Sequence, residues 1–261
     1  MKRNRSILLA AIVLLFVAWP VIAQTGYFPG QTAEAYAYTH GGYVAQAVVK
    51  VRSNGSLDVE IDEAFLPHTL AIVDMDSPDW NVRNTVYYES RGSEIRTAKY
   101  VEYDGTVYVG TTVGASLTYV EADDNGEPAG GKDLELLILK NQETMASYYR
   151  NIKRGGFRVL TGFGSMAKPV LKTAYGGVTK ATSPGYWNFG QTWQGNINAI
   201  EEFIEEYGSA FPRSDMERSA IANADGLKFW TVADTLSGAT NSDFKDYFGV
   251  AQAAISQLKM R

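Results

Sequence analysis

Near the C-terminus, Asp234-Thr235-Leu236-Ser237-Gly238-Ala239-Thr240 sets an acid, hydroxyls and two residues of minimal bulk side by side. Gly238 and Ala239 remove the side chains that would keep a ligand from the backbone, and Ser237 and Thr240 supply hydroxyls beside that gap. Just beyond, Phe244, Tyr247, Phe248, Ala251, Ala254, Ile255 and Leu258 recur at helical spacing, while Lys245, Asp246, Gln252, Gln257 and Lys259 fall elsewhere on the wheel. The pattern predicts a helix that begins near Thr240 to Ser242. Thr240 or Ser242 would cap it, with Asp243 as the acidic partner of a capping box for Thr240. The free N–H groups of its first turn and the positive end of its dipole would then face the small-residue turn and favour an anion there, such as a phosphate.

Asp-x-x-Ser-Gly-Ala-Thr followed by a helix resembles the attachment motif of the FMN-binding domain family, the covalently flavinylated extracytoplasmic proteins that include flavin subunits of bacterial ion-pumping redox complexes. The resemblance implies FMN held by a phosphoester on Thr240 and installed from FAD by a separate flavin transferase. Ser237, Gly238 and Ala239 would be the recognised turn, and Asp234 the acid of the motif. A membrane redox partner is implied as well. The likeness is specific over residues 228–258 and loose over 33–65, where a strand containing Tyr and Gly precedes a hairpin. The residues by themselves also admit a loop and an ordinary helix cap. A non-redox envelope module that binds a small ligand or a partner protein is therefore the alternative function.

The elements that must position this turn start after an export signal. Residues 1–23 have a basic start (Lys2, Arg3, Arg5), an apolar run from Ile7 to Trp19 and Val21-Ile22-Ala23 before Gln24, the layout of a secretory signal peptide. The run is shorter than the roughly 20 residues of a comfortable membrane span. Cleavage after Ala23 is expected, with an uncleaved anchor as the other outcome, and the location is extracytoplasmic in both. The chain has no cysteine, which removes lipid attachment at a cysteine, disulfides, thiolate-held iron–sulfur clusters and thiol catalysis. Redox chemistry would have to come from a cofactor. Loss of the signal takes the formal net charge from −5 to −8, which argues against nucleic acid as the partner.

Residues 24–261 are expected to form a single FMN-binding-like α+β domain, an antiparallel sheet with packed helices. Residues 33–38, 43–51 and 57–65 read as three strands, with alternation in Leu57-Asp58-Val59-Glu60-Ile61-Asp62 and an Asn54-Gly55 turn. Asp104-Gly105 marks a second hairpin between Thr97–Tyr103 and Thr106–Thr112, and residues 116–120 add a strand. Residues 133–152 carry a helical period with a break near Asn141, ended by Lys153-Arg154-Gly155-Gly156. Residues 158–171 are expected to be irregular. Tyr186-Trp187-Asn188-Phe189 and Trp193 could flank a planar ring or fill an interface. Residues 197–207 read as an amphipathic helix with a solvated acidic face, residues 212–225 as a polar stretch with a short helix, and residues 227–232 as the strand that leads to Asp234. The middle, about 66–186, is expected to be a large insertion. His40 and His68 read as ordinary surface residues, and Asp74, Asp76 and Asp79 as a solvated acidic loop without calcium-ligand spacing. Neither a catalytic constellation nor a metal site is visible.

Overall fold

The computed structural model describes residues 26–73, 82–90, 92–164, 175–183 and 185–260. The expected signal peptide and the Asp74, Asp76 and Asp79 loop lie outside the described residues. Among those described, no helix is long and apolar enough to cross a membrane.

The fold is α+β. Strands β1 (Thr32–Thr39), β2 (Tyr43–Val51) and β3 (Leu57–Phe65) form an antiparallel meander, with Ala35 opposite Ala47 and Val49 opposite Val59. Their alternation sends Ala33, Ala35, Ala45, Ala47, Val49, Val51, Leu57, Val59 and Ile61 to one face. After α1 (Pro67–Leu70) come the hairpin β4 (Thr85–Ser90) and β5 (Ser93–Ala98), then β6 (Tyr100–Tyr103), β7 (Thr106–Val113) and β8 (Ser116–Glu121). Helices α2 (Leu134–Ile138) and α3 (Gln142–Lys153) follow, separated at Asn141, which caps α3 with a capping box to Thr144. Strand β9 (Phe157–Leu160) pairs with β6, giving the sheet order β8-β7-β6-β9. The chain ends with α4 (Thr192–Tyr207), the small sheet β10 (Met216–Ala222), β11 (Lys228–Val232) and β12 (Thr235–Leu236), and α5 (Phe244–Ile255).

The meander separates two apolar clusters. Helices α4 and α5 cover its alanine-rich face, where Ala251 and Ala254 of α5 are fully buried beside Ala35, Ala45 and Ala47. Small residues on both sides let the helix lie close to the sheet. The other cluster holds Tyr36, Val44, Ala64 and Phe65 of the meander together with residues of β6, β8, α2, α3 and β9.

Both outer strands of the meander have side chains on their backbone groups. Glu201 and Glu205 of α4 accept the N–H groups of Ile61 (2.6 Å) and Val59 (2.9 Å) on β3. Farther along β3, Phe65 N–H donates to Val178 O (3.1 Å) and Lys180 N–H donates to Glu63 O (2.8 Å). On β1, Gln142 Oε1 accepts Tyr36 N–H (2.9 Å), and Gln257 Nε2 donates to Glu34 O (2.9 Å). The expected solvated acidic face of α4 is corrected here, because two of its glutamates serve β3.

Three other expectations change, and one hairpin went unread. The hairpin of β4 and β5 was hidden by its half-exposed residues, which show no clean apolar alternation. Residues 158–171 contain most of β9, a strand too short to display a period. The polar stretch 212–225 is a short 3₁₀ turn followed by β10, in which Met216 alone is buried. Helix α4 starts at Thr192, so Trp193 and Asn196 lie on its buried side.

Candidate functional site

The end of the turn, from Ser237 to Thr240, is held by hydrogen bonds to β11, α4 and β10. Ala233 and Asp234 take left-handed φ of 46° and 66°, reversing β11 into β12. Asp234 is exposed on that reversal. Ser237 Oγ donates to Trp230 O (2.8 Å) and accepts Ala239 N–H (3.3 Å). Gly238 has a φ of 78°, which favours a residue without Cβ. Ala239 is fully buried, and its carbonyl accepts Trp230 N–H (2.8 Å). Thr240 is 6% exposed.

Three donors converge on one oxygen. Asn196 Oδ1 accepts Thr240 N–H (2.6 Å), Asn241 N–H (3.0 Å) and the Thr240 hydroxyl (3.2 Å), while Asn196 Nδ2 donates to Thr192 O (2.8 Å). Arg218 on β10 donates to the carbonyls of Thr240 (2.9 Å) and Asn241 (3.0 Å), and Trp230 Nε1 to Asn241 O (2.7 Å). These bonds explain a correction to the expected helix start. With Thr240 and Asn241 tied to Asn196, Arg218 and Trp230, α5 begins only at Phe244, with Asp243 as N-cap and no side-chain cap. The capping box with Thr240 does not form. Asp243 instead turns its carboxylate to His40 Nε2 (3.0 Å). The N–H groups offered at the motif belong to Thr240 and Asn241, and a neutral amide oxygen holds them.

Beside this turn lies a cavity of about 210 Å³. Its walls include Asn241, Ser242 and Asp243 directly after the motif, Asn196 and Trp193 from α4, and Tyr43, Tyr186 and Trp187. The aromatic run read from the sequence thus lines a cavity beside the residues that follow the motif, while Asp234, Ser237, Gly238, Ala239 and Thr240 are not on its wall. Trp187 stands at 59% exposure, and Trp193 is buried. Tyr186 meets Tyr43 through their hydroxyls (2.7 Å) and packs on Phe65 and Tyr175, with ring centroids 5.2 and 5.3 Å away.

Against the cavity sits a buried polar cluster. Glu63, fully buried, contacts the Lys180 ammonium, accepts the Tyr247 hydroxyl (2.5 Å) and accepts the Thr39 hydroxyl. Trp193 Nε1 donates to the Tyr247 oxygen (3.1 Å). Lys180 Nζ lies 3.9 Å from the ring centroid of Tyr43 and 4.9 Å from that of Tyr186. Burial and the neighbouring Glu63 push the Tyr247 hydroxyl well above its ordinary pKa, so it is a donor across the physiological range. Burial alone would raise the Asp243 carboxyl, but His40, Ser242 and Lys180 together hold it below its ordinary value. Among the described residues, no group of three or more acidic or histidine side chains is placed to hold a metal ion.

Comparisons with protein-family models, curated proteins and solved structures found no match to this chain.

Several residues of the site escaped the sequence reading. Glu63 had a signal: Leu57, Val59 and Ile61 set the buried face of β3, and the next position on that face is a glutamate. Asn196 had one too, since it interrupts the apolar stripe of Trp193, Ile197, Ile200 and Ile204. His40, expected as an ordinary surface residue, is a wall of the cavity. His68, read the same way, pairs with Glu135 (2.8 Å). Lys180 and Arg218 had no signal in their local sequence. Both are brought to the site by strand-edge pairing.

Proposed function

We propose that this chain is an exported flavoprotein that carries FMN on Thr240 through a phosphoester and moves electrons between a membrane reductase and an extracytoplasmic acceptor. The observation that carries the reading is an aromatic-walled cavity lined by residues 241–243, directly after the Ser-Gly-Ala-Thr turn, and by Asn196, whose Oδ1 accepts the Thr240 hydroxyl (3.2 Å). The donor set suits such a group. Tyr43, Tyr186, Trp187 and Trp193 offer faces to a planar ring, and the Lys180 ammonium offers a donor to its carbonyl oxygens. The N–H groups of Thr240 and Asn241 already converge on one oxygen, and a phosphate oxygen could take the place of Asn196 Oδ1. Asn241 also has both amide atoms buried without a partner, a deficit that a polar ligand edge would relieve after rotation of the side chain. The cavity is smaller than the roughly 300–1,000 Å³ of pockets that enclose whole ligands, in keeping with a ring inserted by one part and tethered by another. FMN would supply two-electron uptake with one-electron release, and the protein would tune and shield it. Maturation would depend on a flavin transferase acting on FAD.

One observation favours a second reading, a non-redox envelope module that binds a small ligand reversibly in the same cavity. The Thr240 side chain is buried and its hydroxyl is engaged by Asn196, so modification requires the turn to open. Intact mass under denaturing conditions separates the two. Co-expression with a flavin transferase is expected to add one FMN to the peptide that contains Thr240. An unmodified mass beside a modified control protein would leave the reversible module.

A further inference from the structure

The cluster of Glu63, Lys180, Tyr247 and Thr39 is absent from the motif and is not needed to attach a phosphate, yet it occupies one side of the cavity. Lys180 is the one Lys or Arg among the described residues that line the cavity. Its ammonium is held by Glu63 and by the Tyr247 oxygen (3.4 Å) and rests over the faces of Tyr43 and Tyr186. Glu63 is fully buried and is not among the wall residues, so the positive end of the pair is nearer the cavity and the negative end lies behind it. Asp243, another wall residue, is held ionised chiefly by His40 and Ser242, with Lys180 adding to them. Two fully desolvated charges are costly, and a purely structural pair can usually be replaced by uncharged groups of similar size without loss. A fixed cation next to a ring that gains negative charge on reduction has a different use.

We propose that Lys180, backed by Glu63 and Tyr247, is a positioning residue that raises the reduction potential of the flavin bound in this cavity; the proposal rests on the flavoprotein reading. A fixed positive charge beside the ring stabilises the reduced over the oxidised form. Removing it lowers the potential, and removing its counter-charge raises it.

The experiment compares three flavinylated proteins, the native chain, Glu63→Gln and the double variant Lys180→Met with Glu63→Gln. The double variant is used because Lys180→Met alone would leave a buried carboxylate without its counter-charge, whereas Glu63→Gln leaves the ammonium with the Tyr247 oxygen and the faces of Tyr43 and Tyr186. Intact mass reports attachment, circular dichroism reports the fold, and spectroelectrochemistry at pH 8, where uptake of two electrons and one proton leaves the ring with one negative charge, reports the midpoint potential. The double variant is expected to keep its FMN and to lose about tenfold in the ratio of reduced to oxidised flavin at fixed potential, which is about 30 mV for a two-electron couple. Glu63→Gln is expected to shift by a similar factor in the opposite direction. A merely structural pair would change thermal stability without producing shifts of opposite sign. Equal potentials in all three flavinylated proteins would overturn the role of Lys180 and leave the flavoprotein reading in place. No FMN on the native chain, with the control modified, would overturn both.

Discussion

Asn196 answers with one oxygen for two backbone donors and a hydroxyl, so its substitution has a larger expected effect than that of Thr240 itself. Thr240→Ala removes only the hydroxyl bond, and the loss expected in urea unfolding is about 1 kcal/mol or less. The same variant is expected to carry no flavin, which intact mass would report. Asn196→Ala leaves two N–H groups unpaired in a turn that is largely closed to water, for an expected loss of about 2–4 kcal/mol. A melting temperature unchanged by Asn196→Ala would refute that account of the turn. Much of the motif's local behaviour was legible from residue types: Gly238 does sit at positive φ, and Ala239 is packed where a larger side chain would not fit. The partners of the motif were not. Asn196 and Arg218 lie far away in sequence and reach it through tertiary pairing, which no local pattern encodes.

The strength of a period decided which elements could be read. The meander, the break of the α2–α3 pair at Asn141 and α5 after its start all have strong apolar repeats, and each was visible. Strand β10 exposes most of its residues, and the hairpin of β4 and β5 mixes exposed with half-buried positions, so neither carries a clear apolar alternation. Helix α4 was seen from Ile197 onward, but its contact with β3 through carboxylates was hidden, because a glutamate on a helix face looks solvated until a strand edge is set beside it. That contact has a pH signature. Burial first, with the nearby Glu205, Glu60 and Glu202 adding to it, raises the Glu201 carboxyl from its ordinary 4.5 to about 7. A carboxyl whose folded pKa exceeds its unfolded value stabilises the fold below the unfolded pKa, and this contribution is lost as pH rises through the folded value. Stability is therefore expected to decline between about pH 4.5 and pH 7 by on the order of 1 kcal/mol at this site, after allowance for partial solvation. Urea unfolding at pH 5 and pH 8 checks it, because Glu201→Gln should flatten that difference and a variant with the native profile would count against the assignment.

At the scale of the molecule, the region expected to be a large insertion supplies part of the site. Residues 178–180 run along β3, and Tyr186 packs against Phe65, so the aromatic and cationic walls of the cavity depend on the cluster beneath the meander. Phe65→Ala is expected to cost about 3–5 kcal/mol and also to loosen residues 175–186. Limited proteolysis should then cut that segment faster than in the native chain, in proportion beyond the global loss of stability. Trp187, being largely exposed, should be removable with a change of stability under about 0.5 kcal/mol. In the flavinylated protein, Trp187→Ala is expected to raise flavin fluorescence, because a ring seated in this cavity would lose an indole quencher; unchanged fluorescence would remove Trp187 from the ring's surroundings. The side chains on both outer strands of the meander have a further effect. With Gln142 and Gln257 on β1 and Glu201, Glu205 and residues 178–180 on β3, the central sheet offers few open hydrogen-bonding groups to a neighbouring copy, which limits strand-to-strand aggregation.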